Sequence, residues 1–132
     1  MEQRQRVMIV DDNLIDQMIT AHILKKKYAD GDILVMENAA DALNYLDIHK
    51  DDPSAIPSII LLDIDMPVMN GFDFLNGFRK FANVLKDACK IVVITGSDIP
   101  EDIEMMKADP SVTRLILKPL NHNELVPMIS TP

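Results

Sequence analysis

SIILLDIDMPVMNGFDF, residues 58–74, opens on an unbroken apolar run, Ile59 to Leu62, and stops abruptly on a carboxylate, Asp63. A run of that kind and length reads as a strand buried on both faces, as in parallel sheets. Met66-Pro67 then breaks regular structure, because proline lacks an amide donor and drives its neighbour out of the helical region. Gly71 reopens the chain into a helix that carries Phe74, Leu75 and Phe78 at helical spacing. An ionisable group at the carboxyl end of a buried strand, followed by a loop, sits where open α/β sheets bind ligands. Asp63 is therefore the first candidate functional residue.

The segments on either side repeat the device. Val7 to Val10 is a short apolar strand that ends on Asp11-Asp12, and Asp12 or Asn13 can cap the helix that follows. On that helix Ile15, Met18, Ile19, His22 and Ile23 fall on one face at spacings of three and four, the pattern of a core-facing stripe. Gly31 and its flanking aspartates make a turn, Ile33 to Met36 forms a second strand, and Asn38 caps a helix with Ala42, Leu43 and Leu46 on one face. A polar loop from about His49 to Pro57 leads back to the central strand.

Beyond Gly71, the third helix turns Phe74, Phe78 and Leu85 inward. Lys90 to Thr95 is a fourth buried strand, and Pro100-Glu101-Asp102 begins a short helix with proline near its start. Asp109-Pro110 is a turn, and Thr113 to Leu117 is a fifth strand ending at Lys118-Pro119. Asn121 with Glu124 reads as a capping-box-like start of a last helix, which Pro127 kinks or shortens. Five strands alternating with five helices predict, through right-handed crossovers, one three-layer α/β/α domain over residues 1–132 with a parallel sheet.

Composition narrows the function. The chain has 132 residues, room for one domain and one core. With 21 acidic against 13 basic residues its net charge is -8, which argues against nucleic-acid binding, where clustered Lys and Arg must neutralise phosphates. Lys25-Lys26-Lys27, the one basic run, reads as the solvated end of the first helix. No apolar run approaches the roughly 20 residues that span a bilayer, and the amino terminus lacks a signal-peptide core. A single cysteine, Cys89, fits a reducing compartment, so the expected location is the cytoplasm.

In a parallel sheet the carboxyl ends of all strands share one edge. Here those ends carry Asp11-Asp12, Asp63, Thr95 and Lys118. Taken singly, such an Asp is usually a helix cap, such a Thr a turn residue, and such a Lys a solvated end. Their joint placement points elsewhere. Carboxylates gathered within several ångströms repel one another and destabilise an empty site, and a hard divalent cation relieves this. With Mg²⁺ in place Asp63 is a candidate nucleophile towards phosphorus, since carboxylates form aspartyl phosphates. The metal, the Lys118 ammonium and the Thr95 hydroxyl would then each meet a phosphoryl oxygen.

Asp11-Asp12 after strand one, Asp63 with Met66-Pro67 and Gly71, Thr95 after strand four and Lys118-Pro119 after strand five together resemble a response-regulator receiver domain over essentially the whole chain. The resemblance implies a flavodoxin-like strand order 2-1-3-4-5. It implies Mg²⁺-dependent phosphotransfer from a sensor histidine kinase, or a histidine phosphotransfer protein, to Asp63. By the same match Asp12 binds the metal directly, Asp11 mostly through water, and Asp65 through its backbone carbonyl. Thr95 and Lys118 contact the phosphoryl group, and Lys118-Pro119 is a candidate cis peptide. A stand-alone receiver without an output domain signals through a downstream protein target, or passes the phosphoryl group on in a phosphorelay. It is not an enzyme beyond slow self-catalysed phosphorylation and dephosphorylation, and neither nucleic acid nor membrane is an expected partner.

Two positions depart from the pattern. Leu115, three residues before Lys118, stands where many receivers carry a switching Tyr or Phe, which predicts a muted change on that face. Asp65 adds a negative charge at the mouth of the site, expected to slow reaction with small anionic phosphodonors. Elsewhere, His22, His49 and His122 are too scattered to form a ligand cluster, Cys89 lacks an obvious base, and the nine methionines read as core filler. Phe72 reads equally as a partner-surface residue or a packing residue. The enzymatic alternative is a haloacid-dehalogenase-type phosphatase, because LLDIDMP contains Asp63-x-Asp65 after a buried strand. In that family the Asp-x-Asp strand comes early and a further acidic motif late, whereas here an acidic pair comes first and no acidic strand end follows Lys118.

Overall fold

The computed structural model describes residues 6–28, 30–64, 71–96 and 100–117. Five parallel strands, β1 (Val7–Val10), β2 (Ile33–Met36), β3 (Ile59–Asp63), β4 (Lys90–Thr95) and β5 (Val112–Leu117), form one sheet in the order β2-β1-β3-β4-β5. The helices are α1 (Leu14–Leu24), α2 (Ala39–Ile48), α3 (Gly71–Phe78), α4 (Asn83–Ala88) and α5 (Pro100–Ala108), with a 3-10 turn at Asp30–Asp32. The flavodoxin-like fold and strand order expected from the resemblance are therefore present. The last helix, expected from Asn121, lies outside the described residues.

Alternation along each strand divides the core in two. Met8, Val10, Ile60, Leu62, Ile91 and Val93 face one layer, where they meet Ala42 and Leu46 of α2, Phe74 and Phe78 of α3, Leu85 of α4 and Met106 of α5. Val7, Ile9, Ile59, Leu61, Val92 and Ile94 face the other, against Ile23 and Leu24 of α1. Every residue of β3 is buried, as a central parallel strand requires.

The structure corrects the reading of α1. Ile15, Met18 and Ile19 point outward at 67, 63 and 46 % exposure, with Leu14 beside them at 68 %. Of the expected stripe, His22 is also exposed and Ile23 alone is buried. The inner face is Gln17, Thr20, Ile23 and Leu24. Its rotation is set locally: the Asn13 side chain accepts from the Asp16 amide at 2.9 Å, and Gln17 Nε2 donates to the Asp11 carbonyl at 2.5 Å. A spacing rule finds a stripe but does not say which of two stripes meets the sheet.

The single third helix is also corrected. It is two helices, α3 and α4, broken between Phe78 and Asn83, where the Lys80 amide bonds the Gly77 carbonyl at 3.2 Å and the Phe81 amide the Phe78 carbonyl at 3.1 Å. These tight turns keep Phe78 and Leu85 inward on either side of the break, as expected for both. Phe72 is half-buried against the same core layer.

Candidate functional site

Parallel pairing brings the strand ends to one edge, and each end carries its side chain there for a local reason. Asp11 continues β1 by one residue, its amide donating to the Met36 carbonyl at 3.0 Å. Its Oδ1 accepts from the Asn13 amide at 2.9 Å, and its carbonyl accepts from Gln17. Asn13, with extended backbone angles, is the N-cap of α1, so the acidic pair stands directly before a helix start. Asp63 is the last residue of β3 and pairs with Ile94 of β4. Thr95 ends β4 opposite Leu117 and is fully buried.

One carboxylate oxygen from each of Asp11, Asp12 and Asp63 lies within 4.8 Å of the others. Asp11 and Asp63 are only 6 and 4 % exposed, while Asp12 is solvent-exposed, so the cluster has buried walls and one open side. Like charges held this close repel, and the repulsion grows as the local dielectric falls. An all-oxygen donor set with an open side fits a hard divalent cation that keeps water or substrate ligands. The expected convergence of Asp11, Asp12 and Asp63 is thus present in the geometry. Asp65 and Lys118-Pro119 lie outside the described residues.

The structure adds a residue that the sequence reading passed over. Gln17 is buried on the inner face of α1, where an apolar side chain is the ordinary choice. The signal was available as an amide six residues beyond Asp11, in phase with Thr20 and Leu24, but the outward stripe masked it. His22 is exposed, and the His49 ring sits 4.3 Å from that of Tyr45. Burial pushes the Cys89 thiol up to about 12, which makes it a poor nucleophile. Gly96, after Thr95, is exposed.

The family model described as response regulator receiver domain matches residues 7–130. The "Two-component response regulator ARR17" of Arabidopsis thaliana is 31% identical over 133 residues, covering 95% of this chain and 82% of its own. Among solved structures, a two component response regulator from Cytophaga hutchinsonii superposes with a TM-score of 0.83 at 24% identity, covering 97% of this chain and 96% of its own. A response regulator receiver protein from Dyadobacter fermentans DSM 18053 gives 0.78 at 26% identity, over 95% of this chain and 91% of its own. The phosphatase alternative gains no support from any of these.

Proposed function

This chain belongs to the response regulator receiver domain family, a signalling family of two-component systems, and we propose that its Asp63 accepts a phosphoryl group from a partner's phosphohistidine. The observation that carries the reading is the meeting of Asp11, Asp12 and Asp63 oxygens within 4.8 Å at the carboxyl edge of the sheet. The whole chain acts as one receiver domain of the cytoplasm.

In the proposed transfer, an Asp63 carboxylate oxygen forms a bond to phosphorus as the phosphorus–nitrogen bond breaks, and the electron pair returns to the donor imidazole. Asp12 and Asp63 would hold Mg²⁺ directly, Asp11 through water, and the Asp65 carbonyl would complete the protein's share. Bound there, the metal supplies charge neutralisation and polarises a phosphoryl oxygen. The Thr95 hydroxyl and the Lys118 ammonium receive the remaining phosphoryl oxygens as charge builds on them. Slow self-catalysed phosphorylation and dephosphorylation belong to the same proposal, supported by the exposure of Asp12 on the side where small phosphodonors and water would enter.

A protein donor is supported by the outer face of α1. Leu14, Ile15, Met18 and Ile19 form an exposed apolar surface that starts two residues beyond Asp12, next to the reacting edge. Contiguous exposed apolar surface of this kind marks protein contacts. A kinase or phosphotransfer protein seated there would bring its phosphohistidine to Asp63, and a downstream protein target would then read the phosphorylated state. The test is incubation with acetyl phosphate, with and without Mg²⁺, followed by intact mass. Gain of one phosphoryl group that is lost on chelation and in Asp63→Asn is expected; gain that survives both overturns the reading.

A further inference from the structure

Asp11 is held through its amide to Met36, through its carboxylate to the Asn13 amide, and through its carbonyl to Gln17. The third differs in kind. The Asp11 carbonyl and the Asp12 amide belong to one rigid peptide plane, so whatever grips that oxygen sets how the plane is turned. The turn of the plane in turn sets the angle between the Asp11 and Asp12 side chains. Gln17 Nε2 grips it at 2.5 Å from a residue only 9 % exposed. An amide buried on a helix face that otherwise meets the sheet through Thr20, Ile23 and Leu24 is costly unless its polar atoms are bonded. That cost is offset here by a bond to the backbone of the acidic pair.

We infer that Gln17 is a positioning residue for the acidic pair: it fixes the Asp11–Asp12 peptide so that both carboxylates converge with Asp63 on a divalent cation. The inference rests on the metal reading given above. Gln17 touches neither metal nor phosphoryl group; it acts through the carbonyl it holds. Groups that orient metal ligands from behind typically alter metal affinity ten- to a hundredfold when removed.

The test is Mg²⁺ titration of the full chain, followed through the backbone amide shifts of Asp12 and Asp63. Gln17→Met keeps the size of the side chain and removes the donor. Thr20→Val, one turn along the same inner face, controls for lost polarity in the packing. A metal Kd raised roughly tenfold or more in Gln17→Met and unchanged in Thr20→Val is expected. An unchanged Kd in Gln17→Met, or an equal rise in Thr20→Val, overturns the inference. Should Gln17→Met fail to fold, the wild-type Gln17 side-chain amide resonances serve instead. They are expected to shift with the same Mg²⁺ midpoint as the Asp12 amide, and their failure to move overturns the assignment. Absence of Mg²⁺ binding to the wild-type chain overturns the metal reading itself, a result distinct from either.

Discussion

Gly71 donates its amide to the carbonyl of Ile64 at 3.2 Å, tying the start of α3 to the residue that follows Asp63. A Cβ added at Gly71 would lie 2.7 Å from the Ile64 Cα, too close for any side chain without a backbone shift. Gly71→Ala is therefore expected to lower stability by about 1–3 kcal/mol, the usual range for overpacking. It should also slow phosphorylation, because Ile64 adjoins the phosphoacceptor. Urea unfolding and acetyl phosphate kinetics check both; a fully stable, fully active variant contradicts the close approach.

The outward face of α1 separates two phosphodonors. Met18→Glu and Ile15→Glu change exposed side chains, so stability should stay within about 0.5 kcal/mol of wild type. Transfer from a protein phosphohistidine should fall by about tenfold or more, as when an interface anchor is removed. Transfer from acetyl phosphate should not change. Parallel loss with both donors would place the effect inside the site and not at a docking face.

Leu115 is half-buried in β5, paired with Val93 and packed against the larger core layer. A leucine lacks the planar ring that the resemblance leads one to expect of a switching Tyr or Phe at this position. Amide shifts around β5 and α5 are therefore expected to move less on phosphorylation than those around Asp63. Shifts of equal size on both would contradict this.

Burial holds the Cys89 thiol neutral, up to about 12 against an ordinary 9.0. Above pH 9 the unfolded chain loses this proton while the folded chain keeps it, so stability is full below that pH and falls as pH rises towards 12. The buried Tyr28 hydroxyl, pushed up by the same desolvation, adds a loss of the same sign at alkaline pH. Cys89→Ala should show a shallower decline in urea midpoint between pH 8.5 and pH 10.5, on the order of that linkage. Its midpoint at neutral pH should nonetheless be lower, because the substitution leaves a small cavity. An identical pH slope in the two proteins would contradict the burial argument.

Much of this fold was legible because its signals are local and redundant. The apolar run before Asp63 has no polar position at which water could meet it, so a central strand was forced. Asn13 and Asn38 cap the helices that their side chains predicted. The acidic edge followed from topology alone, since parallel strands must deliver their ends together. What failed was the phase of α1 and the continuity of the helix after Gly71. The stripe through Ile15, Met18 and Ile19 has the period of a core face, yet the Asn13 cap and the tie from Gln17 to Asp11 accompany a helix that buries Gln17, Thr20, Ile23 and Leu24 instead. The break after Phe78 lies between Phe78 and Leu85, which both reach the same core layer, a tertiary arrangement that no window of sequence contains. The bond from Gln17 goes to a backbone carbonyl, which no side-chain motif records, so its phase with Thr20 and Leu24 was the one available signal and the outward stripe masked it.

The central claim is that Asp63 carries the phosphoryl group. An acyl phosphate formed from acetyl phosphate and Mg²⁺ can be reduced with borohydride, which converts the modified aspartate to homoserine, and peptide sequencing then locates it. The account predicts homoserine at position 63 and at no other aspartate. Conversion at Asp11 or Asp12, or none anywhere in a folded, Mg²⁺-bound chain, would contradict it.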